Sequence, residues 1–156
     1  MDADVAISIE PMQPHDVAAF RILVVETLAE FGMGEDPVLD ADLQTPLDVY
    51  AAIWVARLDG VVVGSVALRD SDGEAVYLKR MYVRPDLRGA GLGARLLTTA
   101  LDHARSTGAR TIQLDTHTGM VAAQRLYERA GFRRTGTRTE EGAHDSRCEV
   151  LYALDL

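Results

Sequence analysis

Between Ile53 and Val83, three β-rich runs follow one another with only short turns between them. Ile53–Leu58 and Val61–Leu68 flank Asp59-Gly60, a hairpin signal, and Asp70 to Gly73 separates the second run from Ala75–Val83. Strands joined this tightly are antiparallel, because a parallel pair needs a long crossover connection. The middle of the chain therefore cannot be a succession of β-α-β units.

A glycine loop follows directly. After the charged turn Arg84-Pro85-Asp86-Leu87-Arg88 comes Gly89-Ala90-Gly91-Leu92-Gly93-Ala94, which runs into an amphipathic helix from about Leu92 to Thr107. That helix carries Leu92, Leu96, Ala100 and Ala104 on one face and ends at Gly108. Glycines let the backbone turn sharply and approach a ligand without a Cβ in the way. A helix N-terminus behind them presents unpaired N–H groups and a positive dipole end, a combination suited to phosphate. Gly89, Gly91 and Ala94 also fit the dinucleotide pattern G-x-G-x-x-A, with Asp115 as its acidic residue roughly 20 positions on. The intervening charged turn and the antiparallel meander both argue against that reading.

The rest of the chain completes a mixed α/β order. Val5–Ile9 reads as a strand, and Asp16 opens a helix with Val17, Phe20, Val24, Leu28 and Phe31 on its apolar face, ended by Gly32 and Gly34. Residues 35–50 are acidic and broken by Pro37 and Pro46, which predicts a loop with a short helix. Thr111–Asp115 reads as a strand, Met120–Ala130 as a helix closed by Gly131, and Phe132–Thr139 and Cys148–Leu154 as two last strands. The expected order is β-α-α-β-β-β-α-β-α-β-β, one domain over residues 1–156, with helices on both faces of a mixed sheet.

Composition narrows the function. The net charge of −8 disfavours nucleic acid as a partner, since phosphate contacts need Lys and Arg. No apolar stretch reaches the roughly 20 residues of a membrane span, and the acidic start Met-Asp-Ala-Asp lacks the features of a signal peptide. With Cys148 as the sole cysteine there is no internal disulfide and no multi-cysteine metal site. A cytoplasmic, metal-free protein is the expectation. Charge is unevenly placed: residues 79–95 hold Lys79, Arg80, Arg84, Arg88 and Arg95 against Asp86 alone. Residues 22–56 hold Glu26, Glu30, Glu35, Asp36, Asp40, Asp42 and Asp48 with no basic residue. This contrast suggests a polyanionic cosubstrate and a cationic acceptor, or else an acidic surface that merely keeps the protein soluble.

Arg88-x-x-Gly91-x-Gly93 and, one helix and one strand later, Leu126-Tyr127-Glu128-Arg129-Ala130-Gly131-Phe132 resemble the two signatures of the GNAT superfamily of acyl-CoA-dependent N-acyltransferases. The element order agrees over nearly the whole chain. The resemblance implies a single GNAT-like domain with a splayed central sheet, acetyl-CoA as acyl donor and an amine as acceptor, and leaves a homodimer open. It places the cosubstrate's diphosphate on Arg88, Gly89, Ala90, Gly91, Leu92, Gly93 and Ala94, and its pantetheine arm along Met81 and Val83. Independently, Leu78, Met81 and Val83 break the strand period of two, so one extra residue must be absorbed, most simply as a β-bulge near Lys79-Arg80. An N–H freed there would polarise the thioester carbonyl.

By the same resemblance Tyr127 protonates the departing thiolate; its other reading is a core tyrosine with a satisfied hydroxyl. The general base is open among Asp115, Glu74 and His117, ranked in that order, and Tyr82 would line the acceptor side. The superfamily often carries Asn three residues before Ala123, where this chain has Met120, so that contact is missing or comes from a neighbour such as Thr118. Cys148 reads as a buried structural residue rather than a nucleophile, which favours direct attack by the amine. The rival reading is a non-catalytic acyl-CoA-binding sensor of the same fold.

Overall fold

The computed structural model describes residues 6–71, 73–137 and 147–156. A seven-stranded sheet runs in the order β1-β2-β3-β4-β5-β7-β6. Its strands are β1 (Ile7–Pro11), β2 (Ala52–Leu58), β3 (Val61–Asp70), β4 (Ala75–Val83), β5 (Thr111–Thr116), β6 (Arg133–Thr137) and β7 (Val150–Asp155). The helices are α1 (Val17–Glu30), the short α2 (Pro46–Val49), α3 (Leu92–Ser106) and α4 (Val121–Arg129). The order read from the sequence holds, including the antiparallel β2-β3-β4 meander. Several boundaries shift by one or two residues. β7 begins at Val150, so Cys148 precedes it, and β6 ends at Thr137, with Arg138 and Thr139 outside the described residues.

Two apolar layers sandwich the sheet. Phe20, Val24 and Leu28 of α1 pack with Ile53, Val55 and Ala67 on one face. Leu92, Leu96, Leu97 and Ala100 of α3 pack with Ala56, Val66 and Leu78 on the other, where Tyr127 of α4 joins them. Gly64 of β3 faces α3 at close range: a Cβ there would lie 3.1 Å from Leu96 Cδ1 and 3.2 Å from the Tyr82 carbonyl. Glycine is what lets helix and strand approach so nearly.

β4 and β5 form the one parallel pair, and they pair only over Ala75–Tyr77 against Thr111–Gln113. Beyond Tyr77 and Gln113 the two strands diverge, which opens the sheet in its middle. The cause lies in β4. Tyr82 stands opposite Ser65 and Lys79 opposite Ala67, so Arg80 and Met81 together face Val66. This is the bulge that the three-residue spacing from Leu78 to Met81 predicts. Leu78, Met81 and Val83 join the α3-side core, while Tyr82 packs on the α1 side.

At the bulge Arg80 takes a left-handed φ of 51°, a conformation that costs an L-residue about 1–2 kcal/mol. Its buried guanidinium supplies the compensation. Nε donates to Asp42 Oδ2 at 2.9 Å, and Nη2 donates to Asp42 Oδ1 at 2.7 Å and to Asp40 Oδ1 at 2.9 Å. Arg147, just before β7, donates to Asp40 from the other side at 2.6 Å and 3.1 Å. The Ser65 hydroxyl donates to the Arg80 carbonyl at 2.7 Å. One ionic cluster thus ties the α1–α2 loop, β4 and the approach to β7 together.

Burial alone would raise the Asp40 carboxyl, but hydrogen bonds from Arg147, the Asp36 amide and Arg80 outweigh it and hold its pKa at about 2. Because the folded value lies below the ordinary 3.8, the stability it contributes is complete above the ordinary value and is lost as pH falls through the folded one. Asp40→Asn should therefore destabilise the protein near pH 7 by ~3–5 kcal/mol, as when a buried pair loses one member. In denaturant titrations the gap between the two proteins should close as pH drops from about 4 to about 2.

Candidate active site

The glycine loop is built as its sequence suggests. Gly89 and Gly91 have φ of 86° and 88°, and a Cβ on either would meet nothing within 4 Å. Backbone conformation, not crowding, requires glycine at both, and the space in front of them is open. Gly91 is the N-cap of α3 and contributes no side-chain cap, so the first-turn amides of Leu92, Gly93 and Ala94 have no carbonyl within the helix to bond. Gly93 serves a different purpose. A Cβ there would lie 3.2 Å from Leu126 Cδ2 and 3.7 Å from Met81 Cε, so its absence seats α3 against α4 and the bulge.

Arg88 does not reach into this loop. Its Nε donates to the Val83 carbonyl at 2.9 Å, and its guanidinium forms a two-point pair with Glu30 at 2.5 Å and 2.9 Å. Arg88, expected with the loop amides around one phosphate, here clamps the loop to the end of α1. Arg84 is likewise engaged, by Asp86, and Arg95 donates to the Ile7 carbonyl.

Where β4 and β5 separate, a cavity of about 500 Å³ opens, and the sequence-predicted residues Met81, Tyr82, Asp115 and Tyr127 all line it. The short β5 brings Asp115 there, with its carboxylate largely buried and 3.5 Å from Lys79 Nζ across the gap. Tyr127 arrives from the second turn of α4, buried against Phe132 and Tyr152 at ring separations of 5.7 Å and 6.1 Å. Burial first, then the charges around it, push its phenol well above the ordinary range, so its proton is firmly held. Met120 also lines the cavity, and its sulfur accepts from the Thr116 hydroxyl at 3.6 Å.

The other two base candidates lie elsewhere. Glu74 sits at the paired end of β4, largely exposed and bridged to Arg110 at 3.2 Å, while the strands open at the opposite end. It does not line the cavity. His117, just past β5, uses Nδ1 to accept the Gly119 amide at 2.9 Å and turns its ring towards Phe31. It does not line the cavity.

The structure adds residues that sequence reasoning missed. Tyr50, Arg69, Arg80 and Cys148 line the cavity; the Tyr50 hydroxyl donates to Asp42 at 2.5 Å. Cys148 is half-buried at the cavity wall, not a fully buried strand residue. The acidic stretch also changes meaning. Glu30, Glu35, Asp40 and Asp42 are committed to Arg88, Arg21, Arg80 and Arg147, and Asp36 accepts the amides of Val38 and Leu39. Most of these acids are internal partners of arginines distant in sequence rather than a free field for a cation. Among the described residues no group of three or more His, Cys, Asp or Glu is placed to hold a metal ion, and no helix is long and apolar enough to cross a membrane.

Comparison with known proteins agrees with this geometry. Residues 18–132 match the acetyltransferase (GNAT) family. An uncharacterized N-acetyltransferase of Schizosaccharomyces pombe is 35% identical over 129 residues, covering 78% of this chain and 79% of that protein. Among solved structures, a GNAT-family acetyltransferase from Staphylococcus aureus superposes with a TM-score of 0.89 at 21% identity, covering 96% of this chain and 99% of that one. A GNAT-family acetyltransferase from Brucella melitensis, solved in complex with acetyl-CoA, superposes with a TM-score of 0.70 at 22% identity, covering 96% and 88%.

Gly91→Val tests the loop. A β-branched side chain resists a φ of 88° and would project into the open space above the helix amides. Calorimetric CoA affinity should drop at least ~10-fold, the equivalent of about 1.4 kcal/mol. Unchanged affinity in a folded Gly91→Val protein would remove the loop from the binding site.

Proposed function

Because this chain belongs to the acetyltransferase (GNAT) family, we propose that it moves the acetyl group of acetyl-CoA to a primary amine by direct attack. One observation carries the proposal: Asp115 and Tyr127 line a single cavity at the divergence of β4 and β5, with the glycine loop at the same end of β4. The Brucella melitensis protein of this fold holds acetyl-CoA, which supports that cosubstrate here. The residues present fit it. Gly89 and Gly91 leave open space where a Cβ would stand, beside the N-terminus of α3, as a diphosphate requires.

An amine acceptor is protonated at neutral pH, with an ordinary pKa near 10, and only its neutral form attacks. Asp115, whose carboxylate lies 3.5 Å from Lys79 Nζ, takes the ammonium proton. The nitrogen lone pair then forms the N–C bond to the acetyl carbonyl as the C–S bond breaks. Tyr127 supplies a proton to the departing sulfur, and the second proton of the attacking nitrogen restores the phenol through the cavity's water. Overall one proton is released, through Asp115. A bulge leaves a β4 amide outside the ladder, and in this reading that amide receives the negative charge developing on the acetyl oxygen.

Incubation with acetyl-CoA and a panel of amines, read by thiol release, tests the proposal directly. Tight acetyl-CoA binding with no thiol release from any amine would instead favour a sensor. Tyr127→Phe keeps the ring packing and deletes the proton, so kcat should fall about 100-fold, the low end for acid–base groups, with acetyl-CoA affinity unchanged. Asp115→Asn should lower kcat/KM by ~10²–10³ at pH 7. That deficit should shrink as pH rises towards ~10, where the amine is already neutral.

A further inference from the structure

We propose that the amine acceptor carries a carboxylate close to its reacting nitrogen, as in an α-amino acid, and that Arg69 and Lys79 hold that carboxylate. The inference rests on the acetyl-transfer reading above and names the acceptor class for the same cavity. Despite the chain's net charge of −8, the cavity wall is not acidic. Arg69, Lys79 and Arg80 line it against Asp42 and Asp115.

The pairings leave one cation over. Arg80 is saturated by Asp42 and Asp40, and Lys79 and Asp115 face each other. Among the described residues Arg69 has no acid or hydrogen-bond acceptor within reach. It is exposed at the cavity rim, where a guanidinium offers a planar two-point donor matched to a carboxylate.

Strand register places these groups in a row. Arg69 is opposite Tyr77 and Lys79 is opposite Ala67, so Arg69 and Lys79 are diagonal neighbours on one face, ~7–8 Å apart at the backbone. Lys79 in turn spans the gap to Asp115. The row runs from a rim cation, through a second cation, to the carboxylate that receives the ammonium. An ammonium and a carboxylate borne by one carbon match that order of charges. A diamine does not, since its second ammonium would face Arg69. Proton transfer to Asp115 strengthens the match, because Lys79 then loses its neighbouring negative charge and the acceptor's carboxylate replaces it.

The test compares matched acceptors on the intact protein: leucine with isoamylamine and leucinamide, phenylalanine with phenethylamine, and lysine with cadaverine. With acetyl-CoA, kcat/KM for the carboxylate-bearing member should exceed that for its partner at least ~10-fold, chiefly through KM, as expected for one charge-assisted pair. Arg69→Gln should bring that ratio to within about threefold of unity, and Arg69→Lys should restore part of it. Arg105→Gln, which removes an exposed cation from the end of α3, should leave the ratio intact and so exclude a general charge effect.

Calorimetric binding of the same pairs in the presence of CoA reads the preference without turnover, and so keeps failure of this inference separate from failure of acetyl transfer. Preference for the amine lacking a carboxylate, or for cadaverine, in either readout overturns the proposal. So does an Arg69→Gln protein that retains the wild-type ratio.

Discussion

The buried guanidinium of Arg80 sits where three parts of the chain meet, and the form of the cavity depends on it. Asp40 and Asp42 bring the α1–α2 loop to it, Arg147 brings the approach to β7 through Asp40, and Ser65 anchors its carbonyl from β3. A left-handed arginine at a bulge is locally unfavourable. It persists because releasing it would strand two carboxylates in the interior, a much larger cost. With the bulge held, Lys79 and Tyr82 face the α1 side and Met81 returns to the α3 side. The divergence of β4 from β5 then leaves a gap that no backbone pairing fills.

Ion pairs also show how an acidic chain can leave room for the anions proposed to bind it. A free acidic surface would repel a diphosphate over ~10 Å at 0.1 M salt. Here Glu30, Asp40 and Asp42 spend their charge on arginines of β4 and the glycine loop. What remains around the loop and the cavity is helix-terminal N–H groups, the Lys79–Asp115 pair and the cation Arg69. The Glu30–Arg88 pair is half-exposed and therefore weak. A diphosphate that drew Arg88 away would give up little, and it would loosen the end of α1 from which the Asp40–Asp42 loop departs.

Much of this was legible because it is local or periodic. The meander follows from short turns, the bulge from the interval between Leu78 and Met81, and the glycine turn from its place before an amphipathic helix. Tyr127 and Asp115 could be placed at one site because two motifs bracket one strand. What stayed hidden is pairing at long range. Asp42 and Arg80 are separated by 38 residues and Asp40 and Arg147 by 107, and no periodicity links them, so acids that serve arginines read as a cationic-substrate surface. Glu74 falls outside the cavity for a related reason. Its position at the start of β4 is plain in the sequence, but which end of the β4–β5 pair opens depends on Ala75 standing opposite Thr111.

That dependence on register gives the site its polarity. Because β4 and β5 pair only at their N-terminal ends, their C-terminal ends deliver Met81 and Tyr82 from one strand and Asp115 from the other to the same opening. The glycine loop follows β4 without leaving that end of the sheet. Groups suited to a phosphate, a thioester and an amine are thus set in line by one crossover, β4-α3-β5. The bulge then divides them between the two faces. Met81 meets α3 and α4, where Gly93 allows close contact, while Lys79 and Arg80 look towards the α1–α2 loop. In the proposed reaction an acyl donor and an acceptor would enter from opposite sides and meet in the gap. The acceptor's side is the one whose charges are already paired, except at Arg69.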